Sequence, residues 1–246
     1  MGFCHLVSVL AVSLMAGSIT PAQVIEFKQR ETLDSLVARR VEFLTGYQDR
    51  AYAASYREFV EKVRLAEAPL GKSALTEAVA RYLFKLMSYK DEYEVARLHA
   101  RSGFQEKIAA MFEGDYKVHY HLAPPLIASR NEKGELQKKK YGPAMLTAFR
   151  VLSRLRALRG TPLDIFGRTA ERRAERALPG QYRDSMERVI ASLDAGNHPK
   201  AVEIARIPEQ IKGFGHVKER NLAAARTQWQ QLMAEWVQPG RDRMSA

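Results

Sequence analysis

The feature that most constrains this fold is a period. From Leu33 onward apolar residues recur three and four positions apart: Leu33, Leu36, Val37, Val41, Leu44 and Tyr47, then Tyr52, Tyr56, Phe59, Val60 and Val63. That spacing lines one face of an α-helix. It returns in Leu75, Val79, Tyr82, Leu83 and Leu86, and again in Met145, Leu146, Phe149, Leu152, Leu155 and Leu158. A period of two occurs once, where Tyr116, Val118, Tyr120 and Leu122 alternate with Lys117, His119 and His121. The pattern predicts a mainly α protein, a multi-helix bundle-like domain with one small β-hairpin insert.

Turn and cap residues place the boundaries. The first apolar run reads as one long helix or as two with a bend near Gly46. Ala68-Pro69-Leu70-Gly71 breaks it, and Ser73 is the expected cap of a helix reaching about Met87. A helical stretch covers 91–98. Ser102 and Gln105 have capping-box spacing, predicting a further helix to Phe112 that stops at Gly114. Pro124-Pro125 ends the first strand, Asn131–Gly134 is a turn, and 135–141 returns as the second strand. Gly142-Pro143 opens a helix with its leucines inward and Arg150, Arg154, Arg156 and Arg159 mostly outward. After a loop at 160–167, helices are expected over 169–178, 181–193, 199–206 and 216–237.

The net charge of +11 is concentrated. From Lys138 to Arg176 the chain carries eleven Lys and Arg against Asp164, Glu171 and Glu175, a local excess of +8. Such a region serves acidic proteins, phosphorylated ligands or nucleic acid, or forms a solvated face. Arg150 and Arg154, with Arg168, Arg172 and Arg176, recur at helical spacing and are candidates for an interaction face. The stretch lacks the interleaved aromatics of a single-strand binder and the pattern of a helix-turn-helix, which does not favour nucleic acid.

The one cysteine, Cys4, excludes an internal disulfide and any four-thiolate metal or iron–sulfur site built from this chain alone. That usage suits a reducing, cytoplasmic compartment. Residues 1–22 are leader-like, because Leu6 to Ala16 is an apolar run, yet no Lys or Arg precedes it. Secretion is the alternative it leaves open. The run is too short to span a bilayer. The domain reading is therefore 1–22 as leader-like or mis-started, 23–236 as the helical module, and 237–246 as a polar tail.

Motifs of catalysis do not assemble. Gly71-Lys72-Ser73 lacks the glycine five positions upstream and the feeding strand of a phosphate loop. His119 and His121 share a strand face, but nothing nominates a third metal ligand. No GxSxG or HExxH occurs, and no acidic pair stands out as general acid and base. In IKGFGHVKER, two glycines precede the last helix without the third glycine or the strand of a dinucleotide site. Gly213, Gly215, His216 and Lys218 remain candidate anion or interaction positions at a helix start, against a plain bend in which the glycines take positive φ. The residues themselves assign no catalytic, cofactor-binding or metal site.

Four ordered blocks carry a resemblance: residues 75–99 (LTEAVARYLFKLMSYKDEYEVARLH), 112–126 (FEGDYKVHYHLAPPL), 160–178 with GTPLDIFG and TAERRAERAL, and 202–226 (VEIARIPEQIKGFGHVKERNLAAAR). Together they closely resemble the C-terminal helical region of the large fused indolepyruvate ferredoxin oxidoreductases, over about residues 24–236. The resemblance implies an oxidoreductase class that converts aryl-2-oxoacids to acyl-CoA with thiamine diphosphate, magnesium, 4Fe-4S clusters and ferredoxin as acceptor. Those groups belong to domains upstream of this region, and no Gly-Asp-Gly motif for the diphosphate occurs here. The expectation is a non-catalytic module without a cofactor of its own, encoded as a separate or truncated chain. Its expected partners are the catalytic domains on another chain and ferredoxin, with no membrane.

Overall fold

Asp49 decides where the first helical run divides. Its carboxylate accepts from the Tyr52 N–H at 2.7 Å, capping a new helix just after the old one ends at Tyr47, one residue past Gly46. The computed structural model describes residues 31–101, 103–122, 137, 139–213 and 216–237. Among them α1 is Leu33–Tyr47, α2 Arg50–Glu67, α3 Ala74–Met87, α4 Glu92–Arg101, α5 Phe104–Met111, α6 Met145–Arg154, α7 Ala170–Ala191, α8 His198–Arg206 and α9 His216–Val237. β1 (Tyr120–Leu122) pairs antiparallel with β2 (Lys139–Tyr141), Tyr120 opposite Tyr141. The fold is mainly α with one small hairpin, as the periods predict. The described residues from Thr32 onward form one compact unit.

Helix α3 is the centre. It packs on α1, α2, α7 and α8, and buries Leu75, Val79, Ala80, Leu83 and Met87 completely or nearly so. Tyrosines tie the surrounding helices to backbone carbonyls. Tyr56 donates to Ala80 O at 2.9 Å, Tyr52 to Met87 O at 2.9 Å, and Tyr182 to Ala205 O at 2.8 Å. Each hydroxyl is thus satisfied while its ring supplies apolar area to the core. A second, smaller cluster joins α4, the hairpin and α6 through Ala96, Tyr120 and Phe149. The His99 ring stacks on Phe149 at 4.8 Å and meets Tyr120 edge-on at 5.4 Å.

Several local expectations are corrected. Ser73 stands at the N-cap of α3 but its hydroxyl makes no cap bond. The buried carboxylate of Glu67 takes that role, accepting from Leu75 N, Thr76 N and Thr76 Oγ1 at 2.8, 2.8 and 2.6 Å. Helix α5 has Gly103, at φ 70°, at its N-cap and ends at Met111, short of Gly114. Ser102, the turn at 131–134 and Gly215 lie outside the described residues, as do residues 1–22 and 238–246. The two helices expected on either side of Pro179 are one. Leu178, Tyr182, Met186 and Val189 are buried on a single face that runs across the proline, and this continuous stripe outweighs the one backbone bond it removes. After Arg154 the chain tightens to a 3₁₀ turn, 155–158, which rotates the helical phase. Leu155, expected inward, is 42% exposed, while Arg159, expected outward, is buried.

Candidate functional site

Helix α4 begins with three acids in four positions, Asp91, Glu92 and Glu94, and the charged residues of distant segments converge on them. Asp91 accepts from the Glu94 N–H at 2.8 Å, which caps the helix, and pairs with Arg159 at 2.6 and 2.9 Å. Arg159 also donates to Tyr47 O at 2.7 Å, and its guanidinium lies 3.8 Å from the Tyr47 ring centroid. Glu92 pairs with Arg172, Arg172 with Glu175, and Glu175 with Lys218 of α9. Glu94 takes both forks of Arg97 at 2.7 Å. Five acids, counting Asp164 below, thereby meet five cations: Arg97, Arg159, Arg172, Arg176 and Lys218.

The loop at 160–167 is pinned from underneath by Asp164. That carboxylate accepts from the N–H groups of Gly160, Phe166 and Gly167 at 2.8, 3.2 and 3.1 Å, and from the Tyr93 hydroxyl at 3.2 Å. Arg176 pairs with it and donates to the Tyr89 hydroxyl at 3.0 Å. A Cβ on Gly167 would collide with the Arg176 guanidinium, so any larger residue there must displace the group that pairs with Asp164. Burial alone would raise the Asp164 pKa, but the backbone donors and Arg176 hold it below the usual carboxylate range. Burial first, then Asp164, pushes the Tyr93 hydroxyl up to about 12. With Asp164 only 2% exposed, its neighbours Leu163 and Ile165 face solvent at 70% and 51% exposure.

The residues singled out in the sequence are not brought together. Gly213 has φ 99°, and a Cβ there would stand 2.8 Å from Val217 Cγ1, so the bend requires a glycine. Gly215 and the His216 side chain lie outside the described residues. Lys218 is turned onto Glu175, so its charge is already met by a carboxylate. Arg172 and Arg176 point into the cluster and do not line a face with Arg168, which is exposed. Arg150 and Arg154 are exposed on α6 without an acidic partner among the described residues. His119 and His121 are exposed, and Lys140 stands directly opposite His121, a poor neighbour for a cation.

What sequence reading missed is the pairing of acids and bases far apart in the chain, Asp91 with Arg159 and Glu67 with His198. The available signal was an aspartate locked between apolar residues in GTPLDIFG and the acidic start of α4. Chemically, every buried acid described, Glu67, Asp91, Glu94, Asp164 and Glu175, is committed to donors. The cluster is a clamp joining α4, the 160–167 loop, α7 and α9. Among the described residues no group of three or more His, Cys, Asp or Glu is placed to hold a metal ion. This donor set does not fit an iron–sulfur cluster, and Cys4 lies outside the described residues. No described helix is long and apolar enough to cross a membrane.

The fold and clamp define a mainly α-helical module held by a buried, charge-balanced ion cluster. A family described as a family of unknown function (DUF6537) matches residues 33–231, and the chain belongs to it. No curated protein and no solved structure matches the chain.

Proposed function

We propose that this chain is a non-catalytic helical module of the 2-oxoacid:ferredoxin oxidoreductase class, which packs on the catalytic domains and supports their assembly in the cytoplasm. One observation carries the reading: three of the four blocks that resemble the indolepyruvate enzymes meet in the clamp. Glu92 and Glu94 come from the first, Asp164, Arg172, Glu175 and Arg176 from the third, and Lys218 from the fourth. Buried ion pairs add little net stability but fix geometry, and these hold the 160–167 loop in one shape. Groups held in mutual pairs suit a scaffold better than a reaction centre, where an acid or base must be free to move a proton. Thiamine diphosphate, magnesium and the clusters then belong to the partner domains.

A second reading, a basic module that docks an acidic protein such as ferredoxin, is favoured by Arg150 and Arg154, outward and unpaired among the described residues. Nucleic acid is its charge-based rival. The purified chain is expected to be colourless, free of iron, and inactive with indolepyruvate, CoA and ferredoxin. A brown preparation with bound iron, or turnover by the chain alone, overturns the non-catalytic reading.

A further inference from the structure

The outward side of α6 and the pinned loop share an unusual composition. At 100° per residue Arg150 and Arg154 fall on one flank of the helix, and Val151 and Leu155 on the other, all turned away from the α4 side where Phe149 and Ser153 are buried. Val151 and Leu155 are 52% and 42% exposed. A few residues on, Leu163 and Ile165 are presented by a loop whose conformation Asp164 has already settled. Large apolar side chains on a rigid support lose little conformational freedom when covered, which is what a preordered binding surface needs.

We propose that Arg150, Val151, Arg154 and Leu155, together with Leu163 and Ile165 of the loop that begins five residues further on, form one surface that docks an acidic amphipathic helix of a partner protein. The apolar pairs supply the contact area, and the two arginines meet carboxylates on the flank of the incoming helix. Charge names the occupant. Asp164, the nearest acid in sequence, is buried and paired with Arg176, and neither Arg150 nor Arg154 meets a carboxylate among the described residues. A second copy of this chain, at net charge +11, would set like charge against like. The inference rests on the interaction-module reading and supplies the contact surface for it.

The test is fluorescence anisotropy of a labelled peptide of about 20 residues, long enough to hold a helix, with leucines at helical spacing and glutamates on the flanks. A scrambled peptide of identical composition, duplex DNA and anionic lipid vesicles are compared. The variants are Arg150→Glu/Arg154→Glu and Leu163→Asp/Ile165→Asp, with Arg57→Glu as a distant control; circular dichroism melting checks that each still folds. The ordered peptide is expected to bind, more tightly at about 0.01 M than at about 0.15 M salt. Each double variant should lose at least about tenfold in affinity, and Arg57→Glu should not. Equal binding of the scrambled peptide, tighter binding of DNA or vesicles, or no binding overturns the proposal. Peptide binding without association with the oxidoreductase's catalytic chain would sink the class assignment and leave the surface standing; the converse would leave the class and sink the surface.

Discussion

Arg159 closes on Asp91 with two hydrogen bonds of 2.6 and 2.9 Å, the arginine side chain 5% exposed and the aspartate 0%. The pair joins the end of the 155–158 turn to the cap of α4, and the further bond from Arg159 to Tyr47 O ties both to the main core. Removing one partner strands the other charge in the interior. Arg159→Ala should therefore cost about 3–5 kcal/mol in urea unfolding. Arg159→Lys should recover only part of this, because an ammonium lacks the fork that spans both carboxylate oxygens. A loss below about 1 kcal/mol for the alanine variant would place the pair among dispensable surface bridges.

Glu67 and His198, 131 positions apart in the chain, meet at 2.6 Å. Because Glu67 rather than Ser73 caps α3, Ser73→Ala should change stability by no more than about 0.5 kcal/mol. Glu67→Ala should cost about 3–5 kcal/mol, leaving two backbone N–H groups and the imidazole unsatisfied. Glu67→Gln, whose carbonyl still accepts from Leu75 and Thr76, should fall between. Thermal or urea unfolding of the three variants decides it, and equal costs for Ser73→Ala and Glu67→Ala would contradict the cap assignment.

Two glycines should respond in opposite directions. Gly213 at φ 99° has no room for a Cβ beside Val217, so Gly213→Ala should cost about 1 kcal/mol or more. Gly180 lies inside α7 with nothing within 4 Å of a built Cβ, so Gly180→Ala should stabilise by about 0.5–1 kcal/mol. Paired unfolding curves check both signs.

The helical class and the hairpin were legible because period is a local property of the sequence, and so were the last helix and the glycine bend that precedes it. Partner choice was not. Arg159 carries the same letter as Arg150 and Arg154, and only the 3₁₀ turn after Arg154 brings it inward. Ser73 has the right side chain for a cap, but a carboxylate from the preceding helix reaches the same N–H groups with full charge. Pro179-Gly180 reads as a helix end until the face beneath it is seen to be continuous. In the candidate site, Arg150 and Arg154 were legible as outward cations. Leu163 and Ile165 were not, since their exposure follows from Asp164 lying below them.

The pH dependence has one direction. Hydrogen bonds and His198 hold the Glu67 carboxyl below its usual range against the effect of burial, and Asp164 is likewise held down. Their contributions are complete above the unfolded carboxyl values, about 3.9 for Asp and 4.3 for Glu, and are lost as pH falls through the folded ones. Burial lowers the His99 pKa, so its neutral form is favoured in the fold. That contribution is complete above about pH 6.5 and declines as pH falls from there. Melting temperature should be level from about pH 7 to 8, decline gently below about 6.5 and steeply below about 4.5. His99→Phe should remove the gentle phase alone; rising stability on acidification from neutrality would contradict the account.

The proposed role, an assembly module for a 2-oxoacid oxidoreductase, meets its most direct test in sedimentation velocity with the thiamine-dependent, cluster-bearing catalytic chain of such an enzyme. The account predicts a stoichiometric complex that persists at about 0.15 M salt and weakens in Arg150→Glu/Arg154→Glu. Independent sedimentation of the two chains at micromolar concentration would contradict it.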